Sequence, residues 1–156
     1  MGIEIERKFL VKHLPDAIDS YPHTTIRQGY LIATDTGIEL RVRQKAGRCF
    51  QTIKMGEGLS RTEIEIDLSQ DQFDGLWPHT AGHRVSKIRY KVLVGEYTAE
   101  LDRFDGDLAG LEMVEVEFSS VEASQQFAPP EWFGAEVTED KRYKNKWLAK
   151  NGKPGE

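Results

Sequence analysis

Polar and apolar residues alternate with a period of two in eight separate stretches of this chain, roughly 2–12, 24–33, 37–46, 48–55, 60–68, 83–94, 96–103 and 112–118. Successive side chains of a strand point to opposite sides of its sheet, so this is the pattern of strands with two unlike faces. Short turn signals separate several of them: Thr36-Gly37, Ala46-Gly47, Gly56-Glu57-Gly58 and Val94-Gly95. Connections that short join antiparallel neighbours. The expectation is a mainly β (α+β) domain over residues 1–150, with 151–156 a disordered tail. Eight antiparallel strands would close into a barrel, because closure removes exposed edges.

Helices are few and peripheral. Ser69 predicts an N-cap for a helix to about Trp77, ended by Pro78. Ser119 or Ser120 caps a segment over 121–127, closed by Pro129-Pro130. Thr138, followed by Glu139-Asp140, opens a last helix to about Ala149, with Lys144, Lys146 and Lys150 late in it, as the macrodipole prefers.

The polar parity of these strands is almost entirely charged. It reads Glu4, Glu6 and Lys8; Glu39, Arg41 and Arg43; Thr52 and Lys54; Arg61, Glu63, Glu65 and Asp67; Lys87, Arg89 and Lys91; Glu100 and Asp102; Glu115 and Glu117. Polar-out alternation is the default for an antiparallel sheet with one solvated face. Two features pull away from that default. Few Thr, Ser or Gln residues share the parity, and the strands segregate by sign: 41–43, 54 and 87–91 are cationic, 100–102 and 115–117 anionic. The opposite parity is rich enough in apolar residues to need a cover, and the 69–77 helix offers Phe73, Leu76 and Trp77.

If the charged parity lines the inside of a barrel, the lumen is a polar tunnel. Like charges ~4 Å apart repel by roughly 4 kcal/mol at an effective dielectric near 20, so such a lumen needs internal pairing, metal ions and an anionic ligand. Carboxylates select hard cations such as Mg²⁺ or Mn²⁺. Several Arg and Lys on one surface suit a chain of phosphates. Together they describe metal-assisted phosphoryl transfer.

Other classes are disfavoured. The 26 acidic and 21 basic residues are interleaved, giving a net charge of -5 with no basic block, so nucleic acid is not an expected partner. Cys49 is the single cysteine, which rules out an intrachain disulfide or a cysteine metal cluster. His13, His23, His79 and His83 share no ligand spacing, and there is no phosphate-binding G-x-x-x-x-G-K-[ST] loop. No apolar run approaches ~18 residues, and no membrane partner is expected. The setting expected is cytoplasmic, and the outer apolar face leaves room for a homodimer.

The strand motifs resemble those of the CYTH superfamily, the triphosphate tunnel metalloenzymes. They are Glu4-Ile5-Glu6-Arg7-Lys8-Phe9-Leu10-Val11, Arg41-x-Arg43, Thr52-x-Lys54, Glu63-x-Glu65, Lys87-x-Arg89, Glu100-x-Asp102 and Glu115-x-Glu117, in family order. The compact length, Arg27-Gln28-Gly29-Tyr30 and the ending Glu139-Asp140-Lys141-Arg142-Tyr143-Lys144-Asn145 look most like the bacterial inorganic triphosphatase branch.

The resemblance implies an eight-stranded barrel enclosing a charged tunnel, with the last helix plugging one end. It implies Mg²⁺- or Mn²⁺-dependent cleavage of a small triphosphate. Glu4, Glu6, Asp102, Glu115 and Glu117, with Glu63 and Glu65 close by, would form the metal side. Arg41, Arg43, Lys54, Lys87 and Arg89, joined by Lys8, would cradle the phosphates. Lys54 with Tyr30 is the expected base pair, read as lying on adjacent strands, with neighbouring cations lowering a lysine or phenol pKa. The same tunnel serves adenylate cyclases and thiamine triphosphatases, and a non-catalytic polyphosphate- or nucleotide-binding module is the alternative from outside enzymology.

Overall fold

The computed structural model describes residues 5–56 and 62–155. Glu4 and Arg61 lie outside them. Eight strands fall where alternation predicts: β1 (Ile5–Val11), β2 (His23–Ala33), β3 (Glu39–Lys45), β4 (Arg48–Met55), β5 (Thr62–Leu68), β6 (Arg84–Val94), β7 (Tyr97–Phe104) and β8 (Glu112–Phe118). A ninth, β9 (Phe133–Glu136), pairs with β1. Its four residues are too short to register as a period. Gly134 lets it approach, since a Cβ there would sit 3.1 Å from the Leu10 carbonyl oxygen.

All strands join one sheet in the order β5-β4-β3-β2-β6-β7-β8-β1-β9. Every pairing is antiparallel. The expected eight-stranded closed barrel is therefore corrected. The sheet has nine strands, and no hydrogen-bonded ladder joins β5 to β9 among the described residues. Both edges are managed otherwise. Acidic side chains on β5 discourage pairing with another strand, and β9 is short.

Helix α1 (Gln70–Leu76) starts at Ser69 through a reciprocal capping box with Gln72. Its Phe73 is buried against Val42 and Cys49 on the apolar face. Helix α2 (Val121–Gln126) starts at Ser120, whose hydroxyl accepts from the Ala123 amide. Ala123 and the adjoining Phe127 help cover the apolar parity of β6, β7, β8 and β1, where Tyr90, Val92, Leu101, Val114, Val116 and Phe118 form the largest core. The last helix is shorter than expected. Asp140 caps a 3-10 turn over Lys141–Tyr143, and helix α3 begins only at Asn145 and runs to Asn151. Beyond it, the Lys153 ammonium donates to the Ala109 carbonyl. No helix among the described residues is long and apolar enough to cross a membrane.

The charged parity is not charged along its whole length. Towards one end of the strands it turns apolar, through Tyr30, Val85, Phe104 and Met113, with Leu10 beside them. Helix α3 lies on that end and buries Leu148 and Ala149 there. The remainder of the face is the charged trough.

Candidate active site

Register places the charges. From β4 to β3 the pairs are Lys54 with Glu39 and Thr52 with Arg41. From β3 to β2 they are Arg41 with Tyr30 and Arg43 with Gln28. From β6 to β7 Arg89 faces Asp102 and Lys91 faces Glu100. Glu100 then faces Glu115, which in turn faces Lys8. Strand order thus sorts the sign. A cationic arm spans β4, β3 and β6, interrupted by neutral β2, and an acidic arm spans β7, β8 and β1.

The arms meet in a tightly paired seam. Arg89 grips Asp102 with two bonds, Nε to Oδ1 at 2.8 Å and Nη2 to Oδ2 at 2.9 Å, and reaches Glu100 at 3.2 Å. The fully buried Lys87 ammonium lies 2.9 Å from Asp102 Oδ2 and donates to Asn145 Oδ1 on α3 at 3.2 Å. Burial pushes the Asp102 carboxyl up, but Lys87 and Arg89 outweigh it and hold the group well below the usual carboxylate range. Burial dominates at Lys87, pushing its ammonium down to about 8 despite Asp102. Asp102, expected on the metal side, has both oxygens taken by cations.

Deeper in the cationic arm the pairing stops. Arg41 Nε and Arg43 Nε are buried with no hydrogen-bond partner, as is Gln28 Oε1 beside them in register. Burial, then Arg41 and Arg89, push the Arg43 guanidinium down to about 10. Lys45 is also lowered, by burial and then Arg43. Unsatisfied guanidinium N–H groups among like charges are donors prepared for an anion.

The Tyr30 hydroxyl sits among them, 4% exposed. It accepts from Gln28 Nε2 at 3.0 Å, and Arg41 stands opposite it in register. Burial pushes the phenol up and outweighs Arg41, so cations do not lower it as expected. Nor do Tyr30 and Lys54 lie on adjacent strands, because β3 runs between β2 and β4. They share a face about two strand spacings apart, close to 10 Å across the sheet, with Arg41 and Glu39 between their rows.

On the acidic arm Glu6 faces Glu117 and Glu100 faces Glu115. Directly opposed side chains stand about 5 Å apart, where like charges repel. Lys8 comes within 3.8 Å of Glu115 and donates to the Tyr143 carbonyl. Carboxylates free of sulfur or imidazole suit a hard divalent cation, so the donor chemistry fits a metal. Among the described residues the acidic side chains do not converge into a three-ligand group. Glu63 and Glu65 share the face from β5, opposite Lys54 and Thr52, and the Thr52 hydroxyl donates to Glu65 at 3.4 Å.

Four participants were not singled out as site residues by sequence. Glu39, 7% exposed, lies 4.0 Å from Lys146 of α3. Glu100 and Gln28 share the charged parity, which could have flagged them. Asn145 reaches Lys87 from 58 residues away, and no local pattern announces that contact.

Comparison with known proteins identifies the family and its relatives. The CYTH domain family matches residues 2–144. An inorganic triphosphatase of Nitrosomonas europaea is 53% identical over 148 residues, spanning 94% of this chain and 96% of that one. An inorganic triphosphatase of Acetivibrio thermocellus is 36% identical over 154 residues, 97% of this chain and 96% of that one. A crystal structure of an inorganic triphosphatase superposes with a TM-score of 0.79 at 49% identity, covering 99% of both chains.

Proposed function

The chain belongs to the CYTH domain family, and we propose that it is a metal-dependent hydrolase cleaving inorganic triphosphate to pyrophosphate and phosphate. The observation that carries this is the pair of orphaned guanidinium N–H groups on Arg41 and Arg43, facing a trough whose other arm is acidic. Cations alone would suffice to hold a polyanion. The carboxylates add a place for a second, divalent partner of the substrate.

In this reading Arg41, Arg43, Lys54, Lys87 and Arg89, with Lys8, bind the phosphates, and Asp102 holds Lys87 and Arg89 in position. Glu4, Glu6, Glu115 and Glu117, with Glu63 and Glu65, would hold Mg²⁺ or Mn²⁺, which would supply charge neutralisation for the phosphates and a lower pKa for water. Water attacks the terminal phosphorus, the bond from that phosphorus to the bridging oxygen breaks, and pyrophosphate leaves. Lys54, next to the phosphate it binds, takes the water's proton, and the Tyr30 hydroxyl, whose burial raises its pKa, donates a hydrogen bond that orients the reacting phosphate. Tyr30 and Lys54 thus divide the work expected of a single base pair.

A substrate panel tests the reading: tripolyphosphate, ATP, thiamine triphosphate and pyrophosphate, each with Mg²⁺ or Mn²⁺, scoring phosphate and cyclic AMP. Phosphate release should be fastest from tripolyphosphate. Cyclic AMP as the main product from ATP would overturn it in favour of a cyclase. Tight tripolyphosphate binding without turnover of any substrate would leave a binding module. Within the enzyme, Glu6→Gln should raise the metal concentration needed for half activation about 10- to 100-fold, whereas Arg41→Ala should raise the KM for triphosphate.

A further inference from the structure

Gln28 is among the most buried side chains in the molecule, at 0% exposure, and it is polar. It lies on the trough parity of β2, opposite Val85 on β6 and Arg43 on β3. Its amide nitrogen donates to the Tyr30 hydroxyl two residues along the same strand face. Its carbonyl oxygen has no partner. A buried polar atom left unsatisfied costs about 1–3 kcal/mol, so an aliphatic residue of similar size would suit the core better. The amide orientation has an electrostatic rationale. A carbonyl rather than an NH₂ group turned away from Tyr30 suits a neighbourhood of guanidinium charge.

A phenolic hydroxyl has one proton to give and lone pairs to receive. At Tyr30 the Gln28 Nε2 donor arrives at 3.0 Å, and the Arg41 guanidinium, which can only donate, stands opposite in register. With its acceptor side filled, the hydroxyl can act only as a donor, and neither neighbour can take its proton. We propose that Gln28 is a positioning residue for the reaction: its amide N–H fills the acceptor side of the Tyr30 hydroxyl and so commits the phenolic proton to the ligand in the trough. This rests on the triphosphatase reading above and deepens it. Gln28 touches no phosphate. It acts through Tyr30, and it explains why an amide is retained at a site where its carbonyl goes unpaired.

The test uses the full-length protein and two substitutions, Gln28→Leu, which removes the donor, and the near-isosteric Gln28→Glu, which replaces the donor with an acceptor. The first readout is the Tyr30 ionisation itself, taken as the tyrosinate absorbance near 295 nm of each protein minus its Tyr30→Phe counterpart. Both substitutions should move that titration about one pH unit upwards, Gln28→Glu furthest, because its carboxylate would capture the phenolic proton. The second readout is tripolyphosphate kinetics. The kcat should fall about 10- to 100-fold, part of what proton positioning contributes, with KM nearly unchanged, and neither substitution should lower kcat further in a Tyr30→Phe background. A Tyr30 titration that falls or stays unmoved in Gln28→Leu would overturn the proposal, since losing a donor to the phenol oxygen raises its pKa whereas losing an acceptor of its proton lowers it. A fall in kcat that is undiminished in the Tyr30→Phe background would also overturn it, because Gln28 would then act elsewhere. Should Tyr30→Phe alone leave turnover intact, the role of Tyr30 in the proposed reaction fails, while the titration still judges the contact independently.

Discussion

Arg89 on β6 and Arg43 on β3 extend from the same face of one sheet, and their surroundings differ completely. Arg89 has a bidentate carboxylate and a second acid within 3.2 Å, and its guanidinium is held more firmly protonated than usual. Arg43 has a buried Nε without a partner and another arginine for a neighbour. The seam between β6 and β7 is internally compensated, and its charges build the trough. In the arm formed by β3 and β4, Glu39 faces Lys54, but the Nε groups of Arg41 and Arg43 are left without partners. Identical residue types therefore differ in how much of their charge is already answered within the fold, and pairing tells them apart where composition cannot.

The contrast can be broken most directly at Asp102. Asp102→Ala leaves buried Lys87 and Arg89 without their acid, and unfolding stability measured by denaturant should fall by about 3–5 kcal/mol. A loss under about 1 kcal/mol would mean that the seam is not structural. Arg43→Ala should do the reverse. KM for tripolyphosphate should rise about 10- to 100-fold, the worth of a charged hydrogen bond, while stability holds or rises as like-charge repulsion is relieved.

Acidity separates the arms further. In the proposed reaction Lys87 binds phosphate as a cation, and burial lowers its ammonium to about 8, so KM should climb as pH rises past that value, and Lys87→Arg should remove the climb. The sign for stability is opposite. Its folded pKa lies below the unfolded value, so between about 8 and 10.5 the unfolded chain carries more protons, and the contribution of this group to stability rises with pH there. The smallest effect belongs at the outer edge, where Arg48 and Asp67 pair at 3.2 Å in full view of solvent. Arg48→Ala should change stability by under about 0.5 kcal/mol.

Much of this was legible in the sequence. All eight long strands, the Ser69 and Ser120 caps and the charged parity follow from alternation and local hydrogen bonding, which neighbouring residues decide. Strand order does not. That β2 pairs with both β3 and β6 depends on a return across fifty residues, and it inserts β3 between Tyr30 and Lys54. Closure was inferred from the general cost of edges, but β5 and β9 protect themselves by charge and brevity instead. The pKa of Tyr30 was misjudged because nearby cations are visible in a sequence and depth of burial is not. Asn145 and the late start of α3 hang on contacts more than fifty residues distant in the chain.

The unclosed sheet has a mechanical consequence. In a ring of hydrogen-bonded strands the bore is fixed by strand number and shear. With no ladder between β5 and β9 among the described residues, the width of the trough follows instead from the twist of the eight pairings between them. Repulsion among like charges favours a wider trough, and the proposed metal-bound triphosphate, shared between both arms, would favour a narrower one, so that the content of the vessel would bear on its diameter.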